Sequence, residues 1–257
     1  MTINYITRNH QQFNRNFIKI KNLFTYSKHH LFGKVFQTDF VRASVGPECI
    51  LRSFRPAFGY TEVVKRISKT ILNVFIAAIV LWSWLTMVFR GGGSFSARGI
   101  WSLKYFTVLS NLLAAVAAVC WLFFRERHFT AVLKFSACLA VMITFLVTAT
   151  FLGPIFGYAF LYAGPNFWFH LAVPLLCLFD ELFLGEQKIL KNELPYSVLP
   201  LFIYGCFYLG NIILNGREGN DWYAFTTWGL PVGFAIFLFL LLLNYGMGML
   251  ISRLSKR

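Results

Sequence analysis

Two residue types that can do acyl-transfer chemistry sit inside strongly apolar stretches. One is a threonine, in Lys104-Tyr-Phe-Thr107-Val-Leu-Ser110-Asn111; the other is a histidine, in Asn166-Phe-Trp-Phe-His170-Leu-Ala-Val-Pro174. An imidazole that takes the proton from a hydroxyl turns it into a nucleophile toward an ester carbonyl. Both stretches are apolar enough to cross a bilayer, and each polar residue lies about 5–6 residues, roughly 8–9 Å, inside its stretch. A reacting pair on two different helices needs that shared depth. An ionisable side chain there is costly, and so is a functional-site hypothesis; its rival is a histidine that only packs and hydrogen-bonds. The threonine has the same rival, because membrane threonines commonly bond their own or a neighbouring helix.

The surrounding residues favour the chemical reading. Lys104, Thr107 and Asn111 follow i, i+3, i+7 spacing and share a helical face, with Ser110 at its edge. A polar stripe of this kind belongs toward the bundle interior. Asn166 and His170 are i, i+4 neighbours. Pro174 cannot donate to the carbonyl of residue 170, which predicts a kink and a free acceptor beside the histidine. Tyr208, Asn211, Asn215, Thr226 and Thr227 come from later segments but share the same end, and with Thr150 and Tyr158 they suggest a polar pocket in that leaflet. Asp180-Glu181 falls at the opposite end of its stretch, about 15 Å from His170, and reads as a pair of interfacial acids. The five cysteines show neither metal-ligand spacing nor a disulfide framework. No metal or cofactor is expected.

The elements that must position these groups are six long apolar stretches, Lys69–Phe89, Ile100–Phe124, Thr130–Leu152, Pro165–Leu184, Pro195–Leu214 and Trp228–Ile251. Each is close to the ~20 residues needed to span hydrocarbon as a helix. The expected fold is therefore an all-α integral membrane protein with six transmembrane helices, placed in the cell membrane. The first apolar run starts too late and runs too long for a signal peptide.

A net charge of +14 would suit a nucleic-acid binder, but its distribution does not. Twelve of the 24 Lys and Arg residues lie between Arg8 and Lys69. Arg125, Arg127 and Lys134 mark the second loop, Lys188 and Lys191 the fourth, and Arg253, Lys256 and Arg257 the C-terminal tail. Alternate loops carry only Arg90, Arg98 and Arg217. This asymmetry predicts that both termini are cytoplasmic. Membrane lipids, not nucleic acid, are the expected partners. Residues 1–62 form a basic segment without core-forming period, read as a disordered tail beside a six-span domain over 66–252.

At Lys104-Tyr-Phe-Thr107, and at Asn166-x-x-x-His170 before a proline-containing apolar run ending in Asp180, the chain resembles the androgen-induced/androgen-dependent transmembrane hydrolase family. A weaker echo is Trp222-Tyr223 before the sixth span. The resemblance covers about residues 66–252. It implies hydrolysis of fatty-acid esters of hydroxy fatty acids, with Thr107 as nucleophile and His170 as base. Ser110-Asn111 looks more like a prokaryotic branch, and Tyr208 and Asn211 stand where the family carries histidines. The function expected is intramembrane hydrolysis or acyl transfer on a lipid or fatty-acyl ester, supported by Lys104, Asn111, Asn166, Tyr208 and Asn211. The alternative is a non-enzymatic lipid-binding protein or a proton-coupled carrier using His170 and Asp180.

Overall fold

The computed structural model describes residues 58–89, 101–125, 127–185 and 187–255; the basic tail and the Gly91-Gly-Gly93 break lie outside them. Every regular element among the described residues is helical, and six helices are long and apolar enough to cross a membrane. They are α1 (Phe58–Phe89), α2 (Phe106–Phe124), α3 (His128–Phe156), α4 (Pro165–Leu184), α5 (Leu194–Asn215) and α6 (Leu230–Leu254). This is the build of an integral, multi-pass membrane protein.

The central element is α3, which packs against α2, α4, α5 and α6. Its packing on α2 uses Ala137, Cys138 and Val141, which share a buried cluster with Ala114, Ala115, Ala117 and Ala118. Lipid tails are as apolar as leucine, so membrane helices gain little from hiding leucine and gain more from small residues that let backbones approach. The bulky side chains accordingly point outward: Phe123, Phe183, Ile203 and Leu242 are all exposed on the bundle surface.

Helix α2 begins later than the sequence suggests. Instead of starting at Ile100, the chain turns between Trp101 and Tyr105, where the Lys104 N–H donates to the Trp101 carbonyl (3.3 Å) and the Tyr105 N–H to that of Ser102 (3.1 Å). The turn is held from outside. Its Lys104 carbonyl accepts from the Tyr204 hydroxyl at 2.7 Å, and the Lys104 ammonium lies 5.1 Å and 5.3 Å from the ring centres of Tyr105 and Trp222. Thr107 is thus the second residue of α2, not a residue more than a turn inside it.

Helix α4 is also not a plain α-helix. Two π-helical turns interrupt it, Trp168–Ala172 and Asp180–Leu184, and α3 carries a third at Thr148–Leu152. The proline explains the first. Without an N–H at Pro174 the backbone widens one turn, and the Val173 N–H bonds the Trp168 carbonyl. A widened turn accommodates the proline.

Candidate active site

Thr107 and His170 line the same cavity, of about 310 Å³, together with Asn166, Leu161, Trp222 and Tyr223. Thr107 reaches it from the first turn of α2, and His170 from the π turn of α4. The histidine is 6% exposed. Its Nδ1 lies 2.7 Å from the Leu161 carbonyl. A carbonyl can only accept, so Nδ1 carries the hydrogen, and in the neutral ring Nε2 is left with its lone pair. Leu161 is delivered by the connection between α3 and α4, a single helical turn (Tyr158–Leu161) bounded by Gly157 at φ 87° and Gly164 at φ 55°. Those angles are cheap only for glycine. The local sequence thus fixes the tautomer of its own histidine.

Asn111 ties the two halves together. Its Nδ2 donates to the Thr107 carbonyl at 2.7 Å and to the Phe169 carbonyl at 3.1 Å, so one amide spans the helix of the threonine and the residue beside the histidine. Ser110 Oγ lies 3.2 Å from the same Thr107 carbonyl and 3.0 Å from the Thr144 hydroxyl of α3.

The connection between α5 and α6 closes over this end, held by Asp221. That carboxylate accepts from the Tyr208 hydroxyl, the Phe225 and Thr226 N–H groups (3.0 Å each) and the Thr226 hydroxyl (2.6 Å). Burial pushes the Asp221 carboxyl up, but the Thr226 and Tyr208 hydroxyls and those two N–H groups outweigh it and hold it below the usual range. The anchored loop inserts Tyr223, whose oxygen accepts the Phe106 N–H at 2.7 Å. Burial pushes the Tyr223 phenol up to about 12, opposed by the neighbouring Tyr204 hydroxyl and the Phe106 N–H. Tyr223 therefore sits on the exposed N–H groups of the α2 N-terminus, against the threonine. It also lines, with Thr107, a second and apolar cavity of about 50 Å³.

Other expected site residues have different positions. Asn166 lines the larger cavity and donates to the Phe160 carbonyl at 3.4 Å. Lys104 is not among the residues lining either cavity; its ammonium stays on the aromatic rings outside. Tyr208 borders the apolar cavity and spends its proton on Asp221. Asn211 bonds Asn220 at 3.0 Å and accepts from Asn215 at 2.8 Å, which makes it a strut of the loop.

Asp221 is the residue that sequence reasoning missed as part of this site. Tyr223 entered only through the Trp222-Tyr223 echo, without a role, and its burial was the missing information. At the opposite end of the bundle, two readings are corrected. Lys134 belongs to α3, not to a loop, and Asp180 and Glu181 are 2% and 5% exposed, not interfacial. Lys134 pairs with Asp180, and that partnership lets both leave water. Comparison with family models, curated proteins and solved structures finds no match for this chain.

Proposed function

We propose that this chain is an intramembrane enzyme that hydrolyses lipid-like esters, or transfers their acyl group, with Thr107 as nucleophile and His170 as general base. The observation that carries the reading is the shared cavity, in which the histidine has its Nδ1 proton committed to Leu161. Nε2 then takes the Thr107 proton as Oγ attacks the ester carbonyl, and returns it to the departing alkoxide. Water, activated by the same Nε2, releases the acyl-threonine; a second alcohol in its place gives acyl transfer. Charge on the carbonyl oxygen develops beside the α2 N-terminus, where the helix dipole favours an anion. Tyr223 is placed to donate to that oxygen, and because it already accepts from Phe106 its own proton is more strongly polarised.

The cavity walls are mostly aromatic and aliphatic, as an acyl substrate requires. Kinship to the transmembrane hydrolases named above belongs to the same proposal, as does a cell-membrane topology with both termini cytoplasmic. That topology sets the Thr107 end in the outer leaflet. The test is hydrolysis of a medium-chain ester by purified protein in lipid nanodiscs. Thr107→Ala and His170→Ala each abolish turnover, and a fluorophosphonate probe labels the parent protein but not Thr107→Ala. Undiminished turnover in both alanine variants refutes the assignment.

A further inference from the structure

The end of the bundle away from Thr107 holds a second polar site, built on Asp180. Four ionisable side chains converge there from three helices: Lys69 from α1, Lys134 from α3, and Asp180 and Glu181 from α4, all 9% exposed or less. Helix packing alone needs nothing so costly, since a serine or asparagine serves as interhelical glue. Asn73 of α1 joins them, accepting from the Lys134 ammonium at 2.6 Å and donating toward Asp180 Oδ2 at 3.5 Å. Lys69 donates to the Leu184 carbonyl at 2.9 Å. Both ammonium groups also face the Trp121 ring of α2, at 4.9 Å and 5.3 Å.

The two oxygens of Asp180 differ. Oδ2 receives Lys134, whereas Oδ1 is buried and has no partner among the described residues. Asp180 borders a cavity of about 10 Å³ whose other walls include Ala114, Ala117, Ala118 and Ala137. That volume is about what one water requires, and the alanines keep it open. A second cavity of the same size runs from Lys134 and Glu181 to the exposed Arg125 and to Gln187. Lys134 and Glu181 line both. An acceptor-only oxygen beside a water-sized space calls for a hydrogen-bond donor, and the two lysines already balance the two acids, so a neutral donor fits.

We infer that Asp180 is a proton-exchange site, served by a bound water and reached from the Arg125–Gln187 face. Protonated water in the inner cavity gives its proton to Asp180 Oδ1, leaving water and a neutral carboxylic acid. The Lys134 ammonium, released from Asp180, moves to Glu181, which borders the same two cavities. The polar groups sharing the inner cavity with Asp180 are then Asn73 from α1, Lys134 from α3, and Cys177 and Glu181 from α4, while Lys69 and Arg125 line the outer one. The π turn that begins at Asp180 gives this segment the widened backbone that recurs at sites of function. The site is independent of ester cleavage.

Dicyclohexylcarbodiimide tests it, because this apolar reagent adds only to protonated carboxyl groups. The full chain in lipid nanodiscs is treated and digested, and adducts are located by mass spectrometry. Adduct forms at Asp180, and its rate rises as the pH falls. Asp180→Asn forms none there, and Thr107→Ala is labelled like the parent protein. Glu181→Gln, which removes the alternative partner of Lys134, is labelled about tenfold more slowly. An adduct on Glu181 alone, no adduct at any pH, or a rate that does not respond to pH overturns the inference. A parent-like rate in Glu181→Gln overturns the exchange of counter-ions.

Discussion

Replacing Asn111 with leucine should separate catalysis from stability. The amide donates two hydrogen bonds, to Thr107 at 2.7 Å and Phe169 at 3.1 Å. Side-chain bonds between membrane helices average about 0.6 kcal/mol, so losing both costs roughly 1 kcal/mol. Against this stands Asn111 Oδ1, buried in a residue 0% exposed and without a partner among the described residues. Removing an unsatisfied buried acceptor returns about 1–3 kcal/mol. Leucine keeps the branched four-atom side chain but is bulkier, and overpacking a fully buried site costs about 1–3 kcal/mol, so the stability of Asn111→Leu should stay within about 2 kcal/mol of the parent. Activity should fall regardless, because the tie that sets Thr107 against the α4 backbone is gone. A displacement of about 1 Å between reacting groups costs on the order of 10²-fold, or roughly 2.7 kcal/mol of transition-state stabilisation. Thermal unfolding and kcat/KM measured in the same nanodiscs give both quantities. A variant that unfolds early and keeps its kcat/KM would refute the reasoning.

Three further outcomes follow from the geometry. Tyr223→Phe keeps the ring and removes the hydroxyl, which is both the proposed donor and the acceptor of the Phe106 N–H, so kcat should drop roughly 10²–10³-fold with KM little changed; a KM effect alone would make Tyr223 a substrate-binding residue. Asp221 is held below its ordinary value of 3.8 by its donors, so it stabilises the folded loop above that value and the contribution is lost as the pH falls through its depressed value. Acidification below about pH 4 should therefore release the loop and change Trp222 emission, and Asp221→Asn should show the released emission at neutral pH. Lys134→Met strands a buried carboxylate and should cost about 3–5 kcal/mol, whereas Lys134→Met with Asp180→Leu should recover most of the loss; additive losses would show that the two residues do not act as a pair.

Six spans were legible because hydropathy is a sum over about 20 residues and tolerates local error. Their ends were not. The start of α2 depends on Tyr204, Trp222 and Tyr223, about a hundred or more residues away, gripping the Lys104 turn and the Phe106 N–H. Thr107 and His170 were legible because polar groups in apolar runs are few. Asn111 shows the limit: periodicity gave its face, but its second acceptor, Phe169, belongs to another helix. Lys134 was misread for the same reason. Near the start of a span a lysine looks like a loop residue unless its partner is known, and Asp180 lies 46 positions on.

The widened turns of α4 set a constraint on length. Each π turn carries one residue more than an α-helical path would need, so it rotates everything after it by about 100°. Deleting a single residue from the regular turns Val173–Phe179 would swing Asp180 a quarter-turn or more away from Lys134, whereas a deletion within Trp168–Ala172 would close the widened turn that presents His170. Insertion would do the same in the other sense. The span from His170 to Asp180 therefore works as a calibrated spacer: its side chains are free to vary where they meet lipid, while its residue count is not. Among descendants of this chain, gaps should collect in the connections and be absent from this one helix.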